Sequence, residues 1–212
     1  MKLRLHNTAH SSPSHRVRIA LALKGLAYDY VAVGIRKMAH KRADYVGLNP
    51  QGVLPTLEVD GVALAQTLAI VEWLEETVPT PPLLPGDAFA RAKIRRIAAM
   101  VATDITPLHS MRVSKAIVSD LGQKPDVLPQ WTRRWIEEGF GAIEHLLAAE
   151  SGPFCFGAVP TMADVFLIPA VHIAKLHVTD WSRYPRIAAI DAAAQSHPAF
   201  IAAHPSRQPD AS

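Results

Sequence analysis

Two adjacent serines, Ser11 and Ser12, lie between a short strand pattern and a helical pattern near the start of the chain. The N-terminus of a helix exposes backbone N–H groups and carries a partial positive charge, so it favours an anion. Serine hydroxyls at that place could donate hydrogen bonds to a thiolate or a carboxylate. The same residues also suit helix capping, with Ser12 as the N-cap and Pro13 at the first helical position. The two interpretations are compatible, because a capped helix end can leave a second serine free.

Two further segments suit the binding of a peptide-like or carboxylate ligand. Leu54-Pro55 opens a strand after a loop, where a proline cannot supply the N–H of a sheet ladder. A cis bond there would present the N–H and C=O of Leu54 to a peptide-like ligand, although most X–Pro bonds are trans. Gln66-Thr67 precedes a helical pattern, where an amide and a hydroxyl suit a carboxylate. Helix capping by Thr67 is the alternative interpretation.

Other residues with reactive or metal-binding side chains suit structural roles better. The chain has 10 histidines, but His6 and His10 do not lie on a helical pattern and no His-Glu-x-x-His motif is present. We therefore predict no metal site. Cys155 lies between two phenylalanines, which indicates a buried structural thiol. The segment Thr161 to Asp164 matches a capping box at the start of an apolar helix.

Composition limits the class of protein. The 212 residues are 49% hydrophobic and 19% charged, which is enough apolar material for a buried core. A net charge of +3 is no nucleic-acid footprint by itself. The sequence contains no apolar run of the length that a signal peptide or a membrane span needs. A single cysteine excludes an intrachain disulfide. We expect a soluble, cytoplasmic protein with no nucleic-acid partner and no membrane association.

The elements that must position these residues change in type along the chain. Residues 1–78 alternate in the order β-α-β-α-β-β-α, with Asp60-Gly61 as the turn of a hairpin. This order suggests a parallel strand pair joined by a helix, with the hairpin as an antiparallel edge. Residues 79–86 contain four prolines and are predicted to be a linker. Residues 87–212 form an all-helical domain with an irregular polar tail.

Taken together, the segments resemble the zeta class of glutathione transferases, which includes the maleylacetoacetate and maleylpyruvate isomerases. The resemblance covers nearly the whole chain. It implies an α/β plus all-α fold, in which a thioredoxin-like, glutathione-binding domain (1–78) precedes a helical substrate-binding domain (87–212). The matching segments are Ser11 to Leu21, Leu48-Asn49-Pro50, Leu54 to Leu57, Gln66 to Ile70, Pro160 to Asp164, Tyr184-Pro185 and His204 to Asp210.

The resemblance also implies roles for single residues. Ser11, at the first serine of the family's Ser-Ser-Cys motif, donates a hydrogen bond to the glutathione thiolate, and Ser12 supports it; both are the expected catalytic residues. Leu54, before a cis Pro55, pairs with the backbone of the glutathione cysteine. Gln66 and Thr67 hold the γ-glutamyl end, and His40 contacts the glycyl end. In this family the thiolate adds to the cis double bond of a diketo acid, the new single bond rotates, and elimination returns the trans isomer and free glutathione.

Several positions depart from the family pattern. Pro13 replaces the cysteine of the motif. The expected substrate-binding residues are His10, Arg112 and Lys175, but a histidine replaces a common arginine at the first, and lysine cannot reproduce the bidentate grip of arginine at the last. Further changes affect positions that could bind a dicarboxylate in the family, and they fall at Thr106, His109, Ser110 and Leu176.

Three hypotheses for function follow. The first is a glutathione-dependent cis–trans isomerase of a maleyl diketo acid (maleylacetoacetate or maleylpyruvate) in aromatic catabolism, with glutathione as cofactor and a homodimeric assembly. The second is a transferase of the same fold that conjugates or dehalogenates small electrophiles, which the altered dicarboxylate positions favour. The third is a non-catalytic binding module, which the presence of both Ser11 and Ser12 disfavours.

Overall fold

The computed structural model describes residues 1–178 and 180–211, and it divides into two compact units. The first unit comprises Met1–Leu83 together with Gln195–Ser212, and the second comprises Leu84–Ala194. This differs from the expected helical domain of residues 87–212, because the closing segment packs with the N-terminal residues. The closing segment contains a helix, Pro198–Ala203, which precedes the polar tail that the sequence predicts to be irregular.

The first unit is built on a four-stranded sheet. Its strands are β1 (Leu3–Asn7), β2 (Asp29–Ala32), β3 (Thr56–Val59) and β4 (Val62–Ala65), in the spatial order β2-β1-β3-β4. β1 pairs with β2 in parallel and with β3 in antiparallel orientation, and β3 pairs with β4 in antiparallel orientation. The predicted parallel pair with an added antiparallel hairpin is therefore confirmed.

The hairpin between β3 and β4 turns at the predicted pair Asp60 and Gly61. Both residues have positive φ, 47° and 89°, which is the backbone of the two-residue turns that match strand twist. An aspartate followed by a glycine tolerates that conformation better than most residue pairs do. The turn fixes the register in which Thr56 faces Ala65, and so it fixes the start of β3 directly after Pro55.

Three helices complete the part of the first unit before residue 84: α1 (Ser12–Leu23), α2 (Ala43–Leu48) and α3 (Thr67–Thr77). α1 ends as predicted at Lys24 and Gly25, and the glycine adopts a positive φ of 65°. Lys24 is buried and donates to Glu75 of α3 at 2.6 Å and to the carbonyl of Pro81 at 2.7 Å. This pair ties α1, α3 and the following proline-rich segment together.

Helices form the second unit and the closing segment. They are α4 (Ala88–Ala99), α5 (Met111–Lys115), α6 (Leu128–Leu147), α7 (Met162–Ala174), α8 (Pro185–Ser196) and α9 (Pro198–Ala203). Residues 88–118 show helical periodicity in the sequence but do not fold as one helix. The π-helical segments Met100–Ile105 and Ala116–Asp120 interrupt them, and a 3-10 turn begins at Pro107. Proline has no N–H to continue the ladder, and its ring clashes with the preceding turn.

The core of the second unit lies around α7, where nearly every side chain is buried. α6 approaches the π-helical segment closely at Gly139, where any Cβ would overlap the side chain of Ile105. No helix within residues 1–178 and 180–211 is both long and apolar enough to cross a membrane.

Candidate functional site

The N-terminus of α1 carries the two serines that the sequence singled out. Ser11 has an extended backbone and its Oγ accepts a hydrogen bond from the backbone N–H of Ser14 at 3.2 Å. Ser11 is therefore the N-cap, and α1 begins at Ser12, with Pro13 at the second helical position. The expectation that Ser12 caps the helix is wrong, because the extended backbone that lets a hydroxyl reach the third helical residue belongs to Ser11.

The hydroxyls of the two serines differ in what they can still do. The Oγ of Ser11 accepts the cap hydrogen bond, and among the described residues it donates to none, so its proton is available to a ligand. Ser11 is partly exposed. The Oγ of Ser12 is buried and has no hydrogen-bond partner in the described chain. A hydroxyl enclosed by protein atoms is poorly placed to contact a ligand, so Ser11 is the better donor.

The loop before β3 presents an uncommitted peptide group. The bond between Leu54 and Pro55 is cis. Leu54 is partly exposed, and its backbone N–H and C=O form no hydrogen bond with the described residues, whereas Thr56 beyond it is paired within the sheet. The sequence prediction named this geometry as the one that recognises a peptide-like ligand.

Buried side chains of α2 and the segment after it hold this loop in place. Tyr45 donates to the carbonyl of Val53 at 2.7 Å, and Asn49 donates to the same carbonyl at 2.9 Å. Asn49 also donates to the Thr56 hydroxyl at 3.0 Å, and that hydroxyl lies 2.8 Å from the Tyr45 hydroxyl. The residues on both sides of Leu54-Pro55 are therefore fixed by one polar cluster, which leaves the peptide of Leu54 rigid and free.

The segment before α3 carries the second predicted contact pair. Gln66 has a positive φ of 70°, unusual for a residue with a side chain, and it makes no side-chain cap bond. Its side-chain amide donates to Oε1 of Gln51 at 2.8 Å. Thr67 is the first helical residue and mostly buried, so the alternative in which Thr67 merely caps α3 is not realised. Backbone strain of this kind concentrates at ligand-binding positions.

His40 lies in a single 3-10 turn, Ala39–Lys41, and is buried. Its Nδ1 has no hydrogen-bond partner in the described chain. Burial lowers the pKa of the imidazole and the neighbouring Lys41 ammonium lowers it further, so the ring is neutral near pH 7. A Cβ on Gly52 would lie 2.9 Å from the His40 carbonyl, and Gly52 has a φ of +56°. The glycine therefore lets the His40 turn rest against the loop that leads to Leu54.

The three residues expected to bind a second, anionic substrate differ in their contacts. The Nε2 of His10 donates to the carbonyl of Ala211 at 3.0 Å. Lys175 ends α7 and forms an ion pair with Asp191 at 2.6 Å. Arg112 is exposed on α5 and forms no ion pair with the described residues. Of the three side chains, Arg112 is the cation whose charge the described chain leaves uncompensated.

The other motifs named from the sequence have structural roles. Asp164 accepts hydrogen bonds from the backbone N–H of Cys155 at 2.8 Å and from that of Thr161 at 2.8 Å, which confirms the capping box. Cys155 is fully buried, and burial raises the pKa of its thiol. The predicted structural thiol is confirmed. No group of three or more potential metal ligands occurs within residues 1–178 and 180–211.

The sequence did not identify the residues whose hydrogen bonds hold the Leu54 loop and Gln66 in place. Asn49 and Tyr45 were not named as functional, although Leu48-Asn49-Pro50 was among the segments that matched the family. Gln51, which receives the Gln66 amide, was also missed. The signal in the sequence was Asn49 followed by Pro50 in a short loop. Its role is seen only in the fold, where Val53 and Thr56 lie beside Asn49.

Comparisons with known proteins identify the family of the chain. The glutathione S-transferase N-terminal domain matches residues 10–77, and the glutathione S-transferase C-terminal domain matches residues 129–190. A maleylpyruvate isomerase from Ralstonia is 42% identical over 210 residues, which cover 98% of this chain and 99% of the relative.

Two solved structures extend the likeness to three dimensions. A holo maleylpyruvate isomerase, described as a bacterial glutathione S-transferase of the zeta class, has a TM-score of 0.95 and 42% identity, over 99% of this chain and 100% of that chain. A maleylacetoacetate isomerase from Anaeromyxobacter dehalogenans, with glutathione bound in its active site, has a TM-score of 0.89 and 38% identity, over 100% of this chain and 98% of that chain.

Proposed function

Since the chain belongs to the zeta class of the glutathione S-transferase family, we propose that it is a glutathione-dependent cis–trans isomerase of a maleyl diketo acid. Maleylpyruvate and maleylacetoacetate are the two candidate substrates, in the breakdown of aromatic compounds. The observation that carries the proposal is the hydroxyl of Ser11, which is oriented by the helix cap and keeps its own proton for a ligand.

Ser11 binds the thiol of glutathione and lowers its pKa. Free thiols of this kind titrate near about 8.5, and only the thiolate is a good nucleophile. A hydrogen bond from Ser11 and the positive end of α1 both favour the thiolate. Pro13 supplies no backbone N–H in the first turn, so the hydroxyl carries more of the stabilisation than in a helix with a full set of donors.

The remaining contacts recognise the rest of the tripeptide. The N–H and C=O of Leu54 are a donor and an acceptor in the spacing of a β-ladder, which suits the backbone of the cysteine residue of glutathione. Gln66 and Thr67 bind the γ-glutamyl end at the N-terminus of α3. His40, neutral near pH 7, contacts the glycyl end. Each of these groups has unused hydrogen-bonding capacity or exposure, so the chain fits the cofactor.

Glutathione supplies a thiolate that adds reversibly to the activated double bond, which becomes a single bond and can rotate. The chain's own part is to keep that sulfur ionised at Ser11 and to bind the diketo acid. Arg112 is the proposed anchor for a carboxylate of the substrate, because the described chain leaves its charge uncompensated. His10 and Lys175 are weaker candidates, since both already have internal partners.

Those internal partners favour a second candidate function. A transferase that conjugates or dehalogenates small electrophiles needs the same Ser11 and Leu54 but no grip on a dicarboxylate. The Lys175–Asp191 ion pair and the exposed position of Leu176, at 74%, suit this alternative better than a strongly cationic substrate site. A cytoplasmic location and a homodimeric state complete the proposal, on the model of the family.

An isomerisation assay with and without glutathione tests the proposal. Maleylpyruvate and maleylacetoacetate are followed to their trans isomers, and glutathione binding is measured separately by calorimetric titration. We expect glutathione-dependent isomerisation, with a raised KM for the diketo acid in Arg112→Gln and no change in Lys115→Gln, which alters a cation on the same helix. Glutathione binding without isomerisation would transfer the assignment to the second candidate. Absence of glutathione binding would refute both.

A further inference from the structure

Within the first unit, a buried arginine joins the closing segment of the chain to the N-terminal residues. Arg18 of α1 is 1% exposed, and its Nε donates to the carbonyl of Ala203 at the end of α9, at 3.0 Å. The same guanidinium donates to the carbonyl of Ala9 at 2.8 Å and to the carbonyl of Thr8 at 3.2 Å. Arg18 therefore joins the closing segment to the loop between β1 and α1.

Asp210 also forms hydrogen bonds with the loop between β1 and α1. Its carboxylate accepts a hydrogen bond from the Thr8 hydroxyl at 2.8 Å and from the Ala9 backbone N–H at 3.2 Å, and it also accepts one from the Tyr30 hydroxyl. Burial opposes ionisation of Asp210, but the three hydrogen bonds outweigh it and lower the pKa of the carboxyl. Burial and the bond to Asp210 raise the pKa of Tyr30, so its proton stays in place as the donor.

The clamped loop leads directly to the proposed thiol donor. Ala9 lies two residues before Ser11, and the backbone N–H of Ser11 donates to the carbonyl of Thr8 at 3.3 Å. The Thr8 carbonyl is also an acceptor for Arg18. The peptide groups of Thr8 and Ala9 are thus held at their oxygens by a guanidinium and at an N–H by a carboxylate. A movement of this loop would displace the Ser11 backbone and its Oγ with it.

We propose that Asp210 is a positioning residue for the thiol subsite: a carboxylate near the end of the chain fixes the loop that aims the Ser11 hydroxyl at the sulfur of glutathione. The proposal rests on the proposed function, because it requires that Ser11 bind the thiol. Asp210 itself acts through Thr8, Ala9 and Ser11 and touches neither cofactor nor substrate. Asp210 alone in this closing segment is assigned that role, through its hydrogen bonds to Thr8 and Ala9.

The test compares Asp210→Asn with the matched control Arg207→Gln, which changes an exposed charge in the same segment. The readouts are the pKa of the bound glutathione thiol, from its thiolate absorbance, together with KM for glutathione, kcat and the thermal unfolding midpoint. We expect Asp210→Asn to raise the thiol pKa by about half a unit or more and to lower kcat/KM for glutathione several-fold, since an amide cannot accept all three bonds. Arg207→Gln should change neither.

Tyr30→Phe provides a milder variant in case Asp210→Asn fails to fold. It removes one donor and leaves the bonds from Thr8 and Ala9, so we expect a smaller shift of the thiol pKa in the same direction. An unchanged thiol pKa and an unchanged KM in the folded variants, with only a lower unfolding midpoint, would overturn the inference and leave Asp210 as a structural staple. Failure of the wild type to bind glutathione would instead refute the proposed function, and this inference with it.

Discussion

The N-termini of α1 and α7 both begin at a hydroxyl residue with an extended backbone, but the two helix ends differ in what that hydroxyl does. Ser11 accepts a hydrogen bond from the Ser14 N–H at its Oγ, and Thr161 forms a capping box with Asp164. At α7 the third residue returns the bond, because the Asp164 carboxylate accepts from the Thr161 N–H at 2.8 Å and from the Thr161 hydroxyl at 2.9 Å. At α1 the third residue is a serine whose own Oγ has no partner in the described chain.

The difference lies in where the hydroxyl proton goes. The Thr161 hydroxyl donates its hydrogen bond to Asp164, so the capping box of α7 is complete and serves stability. Ser11 has no such acceptor, so its proton is left for a ligand. The cap of α7 is closed within the protein, whereas the hydroxyl that caps α1 can also donate to a ligand.

Removing the Asp164 carboxylate from the capping box of α7 has the largest expected effect on stability. Asp164→Ser makes α7 resemble α1 and leaves the N–H of Cys155 and two groups of Thr161 without their buried acceptor. We expect the free energy of unfolding to fall by about 3 kcal/mol, since charge-assisted bonds and buried unpaired donors each carry about 1–3 kcal/mol. Urea unfolding measures it.

Catalysis separates this role from a chemical one. The folded Asp164→Ser variant should keep the kcat of the wild type at a temperature well below its unfolding midpoint. A variant of normal stability that had lost activity would contradict the structural assignment of Asp164.

The complementary change gives the Ser11 hydroxyl an acceptor at the third position of α1. Ser14→Asn places a neutral acceptor at the third helical position, where it can take the proton of the Ser11 hydroxyl. We expect the pKa of bound glutathione to rise by about one unit and kcat/KM at pH 7 to fall about tenfold or less, as one pKa unit corresponds to 1.36 kcal/mol. The thiolate absorbance titration measures the shift.

Ser14→Ala is the matched control for that variant, because it removes a buried hydroxyl without a partner and leaves the N–H of residue 14 on Ser11. Its bound thiol should titrate as in the wild type. Equal shifts of the thiol pKa in the two variants would mean that the loss of the Ser14 side chain, and not a new acceptor for Ser11, changes the pKa of bound glutathione.

The smallest expected effect concerns His40. Its pKa is lowered in the folded protein, from an ordinary value of 6.5, by burial and by Lys41. Below pH 6.5 the unfolded chain binds more protons at this residue than the folded chain does, so the free energy of unfolding falls as the pH falls. His40→Gln should remove this contribution, whose slope stays below about 1.4 kcal/mol per pH unit.

Urea unfolding of the wild type and His40→Gln between pH 5 and 7.5, in steps of roughly half a pH unit, checks the slope. His177 also has a pKa lowered by burial and Arg133, and it serves as an internal reference because both proteins retain it. Parallel pH profiles of the two proteins would argue against a shifted His40.

Much of the fold could be predicted because it depends on local patterns. Alternation and the Asp60-Gly61 turn determined the hairpin, Lys24-Gly25 the end of α1, and Thr161 to Asp164 the start of α7. The breaks within residues 88–118 were missed because helical periodicity continues through them. The π-helical turns depend on packing, whereas Pro107 was a local signal for a break that was not used. Those interruptions leave little trace in the spacing of apolar residues.

The sequence predicted the residues that would contact the ligand but not the residues that hold them in place. Leu54 precedes a proline, and Ser11 and Gln66 each lie at the start of a helical pattern, and these local features identified the three residues. Asp210 lies 199 positions after Ser11 in the chain, and no local pattern connects it to Thr8. Such contacts come from tertiary folding, as does the choice of Ser11 over Ser12 as the cap.

The most direct measurement is the pKa of glutathione bound to the wild type, Ser11→Ala and Ser12→Ala, from thiolate absorbance against pH. The wild type should hold the thiol pKa below its free value of about 8.5. Ser11→Ala should raise it by about one unit or more, and Ser12→Ala should leave it unchanged because that hydroxyl is enclosed. A raised thiol pKa in Ser12→Ala with no shift in Ser11→Ala would contradict the account.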